Sequence, residues 1–398
     1  MPRNPAVGFV LACVFLDALG IGLIIPVLPR LIGALTETRD LQTSWYGAIM
    51  LSYGLMQFFF APVLGALSDR IGRRPVLLTG IFGLAVMMFV PALSSSLALI
   101  LLSRLAGGMM SSNIVVAQAY IADVTPANRR ITSFGKIGAI FGIAFVLGPA
   151  IGGALGHTDP RLPFFAAGAV CAINFLYGLF ILPESLTTPS REPLSLKRLN
   201  PFAAIGSLAG MPRLRPLLII ITLFTLAQSL MQCTWALYTE YRYGWTPLSI
   251  GLSIFALGLS ISVTQGVILP TLTTRLSPAQ IISAGLSIGL VTMICIGLSP
   301  WGPVSLILIC LFALMGIVGP TIQGVISRQC RAADQGISMG AVSSLNSFTG
   351  AVSPVIGTPL LMITSTYSQS IIAGAPYYLS SLLLVAALIA ASHCRLDD

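Results

Sequence analysis

Twelve long apolar runs alternate with short polar connections along the chain. They cover roughly 6–28, 46–66, 75–95, 97–122, 133–156 and 163–182, then 216–237, 249–270, 280–298, 303–326, 337–363 and 377–392. Most reach the ~20 residues that a helix needs to cross the hydrocarbon of a bilayer. The runs are apolar throughout rather than alternating, which excludes the short two-faced strands of a membrane β-barrel. Helices are the remaining structure that satisfies its own backbone in lipid. The pattern therefore predicts an all-α membrane protein with twelve transmembrane helices. The first run is too long for a signal-peptide core and has no small-residue cleavage site after it, so it reads as a retained helix.

Residues 184–215 form the longest polar stretch, rich in Ser, Pro, Arg and Lys. They are too polar to span. They predict a linker between an N-terminal six-helix bundle, 1–183, and a C-terminal one, 216–398. The two halves also read as repeats. At a constant offset of 205, Gln118 meets Gln323, Gly135 meets Gly340, Pro149 meets Pro354 and Gly152 meets Gly357; Leu67 meets Leu272 and Arg70 meets Arg275. One offset held over this length points to duplication and to two pseudo-symmetric bundles.

Composition agrees with the pattern: 56% of the 398 residues are hydrophobic and 8% charged, against about 25% charged in a soluble domain. The net charge of +9 is a topology signal rather than a sign of nucleic-acid binding. Sixteen of the 21 Lys and Arg fall on the side of the N-terminus, four (Arg30, Arg39, Arg161 and Arg242) fall on the other, and Arg104 lies inside a run. Positive residues stay in the cytoplasm, so both termini are expected there, in the cytoplasmic (inner) membrane. The seven cysteines show no metal or disulfide spacing. No His, Cys or acid cluster lies within the runs, so an intramembrane enzyme is disfavoured, and neither cofactor nor metal is expected.

Candidate chemistry is sparse and therefore conspicuous. Of the 12 acids, only Asp17 lies inside a run, near its middle. An unpaired carboxylate at that depth costs several kcal/mol, so it should face water, find a partner or carry a proton. Arg104, in the fourth run, is the only unambiguous basic residue inside a run, Lys136 standing at the polar edge of the fifth, and it stays charged. The economical expectation couples the two, directly or through water, with Asp17 carrying the proton and Arg104 tuning its affinity. A neutral structural Asp17 and a snorkelling Arg104 are the alternatives.

Gly65-Ala-Leu-Ser-Asp69-Arg70-Ile-Gly72-Arg73-Arg74 forms a turn-forming, charged loop between the second and third runs. Asp123, with Arg129 and Arg130 after it, ends the fourth run on the same side. An inner ion-pair network that gates the protein is expected there. The fifth run carries Gly142, Gly148, Pro149, Gly152 and Gly153, a spacing that lets helix backbones approach closely. Polar and aromatic residues within the runs are candidates to line a substrate cavity: Asn113, Gln118, Phe141, Phe145, Gln228, Gln232, Trp235, Gln265, Gln323 and Asn346.

The loop at Gly65–Arg74 matches the G-x-L-x-D-R-x-G-R-R signature of the major facilitator superfamily. The fifth run resembles the glycine–proline signature of that superfamily's exporters. The stretch Asp17-Ala-Leu-Gly-Ile-Gly-Leu-Ile-Ile-Pro26-Val-Leu-Pro29 and the Ala61-Pro62 run into the loop resemble the tetracycline/proton antiporters of its drug-efflux branch. So do Pro163-Phe-Phe-Ala-Ala, Leu182-Pro-Glu-Ser185 and Ser327-Arg328-Gln329. The resemblance implies proton-coupled export of an amphipathic small molecule by a monomer in the lipid bilayer, with tetracycline the first candidate. It assigns functional positions to Asp17, Asp69, Arg70 and Arg104. Those exporters carry an acid in helix 3, a histidine in helix 8 and an acid in helix 9, where this chain has Met87, Ile261 and Gly289. Export of a metabolite, sugar or siderophore, or membrane sensing without transport, are the alternatives.

Overall fold

The computed structural model describes residues 5–125, 130–186, 200–202, 206, 214–329, 335–365 and 370–393. Among these it is helical with no strand. The helices are α1 (Pro5–Ile24), α2 (Leu28–Gly33), α3 (Arg39–Ile71), α4 (Arg73–Leu93), α5 (Leu97–Met110), α6 (Asn113–Val124), α7 (Arg130–Thr158) and α8 (Leu162–Ile181). After the linker region come α9 (Arg215–Tyr243), α10 (Pro247–Val263), α11 (Leu269–Thr273), α12 (Pro278–Leu298), α13 (Gly302–Phe312), α14 (Val318–Gln329), α15 (Gln335–Ser365) and α16 (Ala375–Ser392).

Eleven helical stretches of the described residues are long and apolar enough to cross a membrane, and α1 adds the shorter apolar stretch Gly8–Ile24. Together they answer to the twelve predicted runs. The ends differ where polar residues extend a helix beyond the hydrocarbon. α3 has 33 residues and begins at Arg39, seven residues before its apolar run. A helix costs little to prolong once nucleated. Three spans are also broken internally. Ser111 and Ser112 separate α5 from α6, a π-helical turn at Thr264–Ile268 separates α10 from α11, and a 3₁₀ segment at Ala313–Ile317 separates α13 from α14.

The described residues pack as two units. The first comprises Met1–Glu37, Ser52–Pro201 and Thr246–Phe255; the second comprises Thr38–Leu51, Phe202–Trp245 and Ala256–Asp398. In the first, α1 lies against α7 and α8, and α4 against α8 and α5. One core cluster of this unit includes Val10, Val14, Leu77, Val116 and Tyr120. In the second, α9 packs against α15 and α16, and α12 against α16. Tyr238 and Tyr377 meet edge to face there at 4.6 Å, and the Tyr238 hydroxyl donates to the Ile296 carbonyl at 3.2 Å.

Glycine sets the closest approach in the first unit. α1 crosses α7 at Gly22 and Gly148, where a Cβ on Gly148 would lie 2.8 Å from the Gly22 Cα. A Cβ on Gly152 would collide with the Leu23 carbonyl oxygen, and one on Gly153 would lie 2.5 Å from the Pro247 carbonyl oxygen. Small residues at this spacing let helix backbones touch. Gly142, on the same helix, faces open space.

Candidate functional site

Asp17 sits on α1, half-buried. Its Oδ1 accepts a 2.8 Å hydrogen bond from Nδ2 of Asn174, on α8, whose side chain is fully buried. The same nitrogen donates to the Cys13 carbonyl one turn earlier, at 3.0 Å. One amide thus fixes the carboxyl against its own helix. Among the described residues Asp17 has no ion pair.

Arg104, on α5, is 5% exposed. Its side chain is enclosed by protein. Its guanidinium lies over the Phe164 ring, 5.5 Å from the centroid, where the ring quadrupole attracts a cation. Its Nη2 is 3.8 Å from the Met88 sulfur, and its Nε has no hydrogen-bond partner among the described residues. The structure therefore does not bring Arg104 into direct contact with Asp17. Tyr53 of α3 lies within electrostatic reach of both. Its ring would be 3.8 Å from a Cβ on Gly107, one turn from Arg104.

The loop between α3 and α4 is a connected network. Gly72 has φ of +107°, a region that strains any L side chain. The reversal there brings Arg73, 7% exposed, onto three partners. It pairs with Asp69 at 2.5 Å, reaches Asp123 of α6 at 3.0 Å, and donates to the Ser68 hydroxyl at 2.7 Å. A buried guanidinium held by two carboxylates and a hydroxyl is far more consequential than an exposed pair. Arg74 donates to the Leu179 carbonyl at 2.6 Å. Arg70 is exposed, and a Cβ on Gly65 would lie 3.4 Å from the Val115 side chain. Arg129 lies outside the described residues.

Glu184 completes this network, a role the sequence reading did not assign. Its two carboxylate oxygens accept the backbone N–H of Arg73 at 2.9 Å and of Arg74 at 3.1 Å. These are orphan donors at the start of α4, where Gly72 offers no capping side chain. The N-terminal dipole favours the negative charge. Ser185 donates to Asp123 at 3.1 Å, and the Tyr120 hydroxyl donates to the Pro183 carbonyl at 2.7 Å. The end of α8 is thus stapled to α4 and α6. The available signal was the Pro-Glu-Ser placed directly after the sixth apolar run. Glu184→Ala should lower the thermal stability of the purified protein by about 1 kcal/mol, as loss of a cap does. Gly72→Ala should cost more, because its Cβ would also lie 2.5 Å from the Glu184 carboxylate. Thermal unfolding in detergent measures both.

The remaining candidates separate by unit. In the first, Phe141 and Phe145 stack at 6.0 Å and Gln118 is exposed. Asn113 is buried at 2% exposure and donates to the Leu77 carbonyl at 3.4 Å, so it packs against α4 rather than facing open space. In the second, Trp235 is buried against Trp245. Gln228, Gln232, Gln265, Gln323 and Asn346 gather around one cavity of about 540 Å³, with Thr225, Ser229 and Phe224 also in its wall.

Residues 10–354 match the sequence profile of the Major Facilitator Superfamily. The chain is 34% identical over 381 residues to the class C tetracycline resistance protein of Escherichia coli, covering 95% of this chain and 96% of that protein. It is 26% identical over 385 residues to multidrug resistance protein 1 of Bacillus subtilis, covering 96% of this chain and 94% of that protein. Among solved structures, the nucleoside transporter NupG superposes with a TM-score of 0.78 at 12% identity, covering 98% of this chain and 100% of that one. That is a likeness of fold.

Proposed function

The chain belongs to the Major Facilitator Superfamily, and from that premise we propose that it is a drug-efflux transporter of the cytoplasmic membrane. It exports an amphipathic small molecule in exchange for protons, with tetracycline the first candidate, as its similarity to tetracycline and multidrug resistance proteins supports. The observation that carries the coupling is Asp17. It is a carboxyl within a membrane helix, hydrogen-bonded by Asn174 and free of an ion pair among the described residues. Such a group can exchange a proton with a cavity that opens alternately to either side. Arg104 tunes it from a distance, through Tyr53 or through water. Arg73, with Asp69, Asp123 and Glu184, holds the inner end of the first bundle in one arrangement. Breaking that network accompanies the switch. The bundles 1–183 and 216–398, joined by the linker 184–215, work as a monomer with both termini in the cytoplasm.

A second reading, export of a metabolite, sugar or siderophore, is favoured by Gly289. A Cβ there would collide with the Met315 sulfur, so a larger side chain requires Met315 to move, and the acid that the resemblance to tetracycline exporters implies at this position is missing. The test is drug-driven proton release from proteoliposomes, with tetracycline and a panel of unrelated lipophilic compounds. Release with tetracycline supports the first reading. Release with other compounds alone keeps coupled export and moves the substrate. No release with any compound removes the support for antiport.

A further inference from the structure

Arg104 carries a charge that its surroundings do not balance. It is 5% exposed, it has no ion pair among the described residues, and its Nε lacks a hydrogen-bond partner there. A guanidinium stays protonated, so it cannot escape the cost of burial by losing its proton as a lysine can. It lies over the Phe164 ring, and the Met88 sulfur at 3.8 Å is a weak acceptor. Neither neighbour takes a full hydrogen bond from it. A second unspent donor lies close by. The Tyr53 hydroxyl is buried and has no hydrogen-bond partner among the described residues, and the two side chains are within electrostatic reach of each other. The neighbouring hydroxyls are committed elsewhere. Ser111, beside Tyr53, donates to the Gly108 carbonyl at 3.1 Å, and Ser103 donates to the Ile100 carbonyl at 2.7 Å. The α3 backbone closes over the same place, for a Cβ on Gly108 would collide with the Tyr53 carbonyl oxygen.

Buried charges in proteins are paired, and an unpaired one is strongly destabilising. Two buried donors without an acceptor, one of them cationic, are the complement of an anion. A small spherical anion accepts from the guanidinium and the phenol at once and brings no proton of its own to place. A water molecule brings two protons to a place walled by Phe164 and Met88, and it brings no charge. A doubly charged oxyanion needs more donors than these two groups offer. We propose that Arg104 and Tyr53 hold a small monovalent anion of the halide class, which neutralises the guanidinium inside the first unit. The ion is a counter-charge and not the exported compound, so the proposal goes beyond the efflux reading and does not depend on it.

The test is halide binding to the purified full chain in detergent, with chloride and bromide as probes and gluconate as the replacing anion at one ionic strength. The wild-type protein should broaden the chlorine NMR line of chloride, and added bromide should reverse the broadening by displacement. Tyr53→Phe keeps the ring and removes one hydrogen bond to a charged partner, so it should weaken binding about 10-fold or more. Arg104→Gln should abolish it. Chloride should also raise the unfolding temperature of the wild-type protein, as a ligand of the folded state does, and raise that of Tyr53→Phe less. No broadening by the wild-type protein overturns the proposal and leaves the guanidinium to water. Broadening or a chloride-dependent rise that Tyr53→Phe leaves unchanged overturns it too, because the ion then sits elsewhere. Should Arg104→Gln fail to fold, Tyr53→Phe decides. Halide binding as expected in a protein that releases no protons with any compound would count against the efflux reading and leave this site standing.

Discussion

Asp17→Asn is expected to abolish coupled efflux. Cells that carry the variant should be as sensitive to the exported drug as cells without the protein. Its proteoliposomes should release no protons when the drug is added. The substitution is nearly isosteric, and an asparagine Oδ1 still accepts the 2.8 Å bond from Asn174, so folding and membrane insertion should be preserved. Only the exchangeable proton is lost. Each proton that crosses moves one charge through the membrane potential, worth about 2.3 kcal/mol per 100 mV. A carrier without the group therefore loses its driving force rather than some affinity. Unimpaired drug-driven proton release in the variant would return Asp17 to a structural clip between α1 and α8. In a membrane sensor Asp17→Asn would leave the signal intact. Asn174→Leu is a useful companion: it leaves the proton and removes the donor that holds the carboxyl, so transport should weaken without vanishing.

Gly152→Ala is expected to have the largest effect on stability. Its new methyl group would occupy the place of the Leu23 carbonyl oxygen. That obstacle is backbone and cannot rotate aside as a flexible side chain can. α1 and α7 would have to separate at their closest crossing, which also opens the contacts of Gly148 with Gly22. Overpacking of this kind costs typically 1–3 kcal/mol, and the fixed obstacle argues for the upper end. Gly142→Ala provides the control. Nothing lies within 4 Å of a Cβ at that position, and alanine is the better helix former by about 1 kcal/mol, so this variant should be neutral or slightly more stable. Thermal unfolding of both proteins in the same detergent decides the matter. Equal melting of the two would show that the α1–α7 crossing can relax.

The sequence by itself determined the spans, the topology signal and the two isolated intramembrane charges. Bilayer chemistry makes these legible one stretch at a time. A crossing helix needs a run of apolar residues, and Asp17 or Arg104 stands out because a charge inside such a run is rare. The charged loop at Gly65–Arg74 was legible for the same reason. Tertiary structure decided which groups meet. Asn174 lies 157 residues from Asp17, Glu184 lies 111 from Arg73, and Asp123 lies 50 from it. Helix hydrogen bonds reach only four residues along the chain, and helices apolar on every side carry little record of which face meets a neighbour. Asn113 and Trp235 illustrate this: their residue types suit a cavity wall, yet packing buries them. The five amides that line the cavity of the second unit came to surround one space only when α9, the π-helical turn, α14 and α15 were folded together.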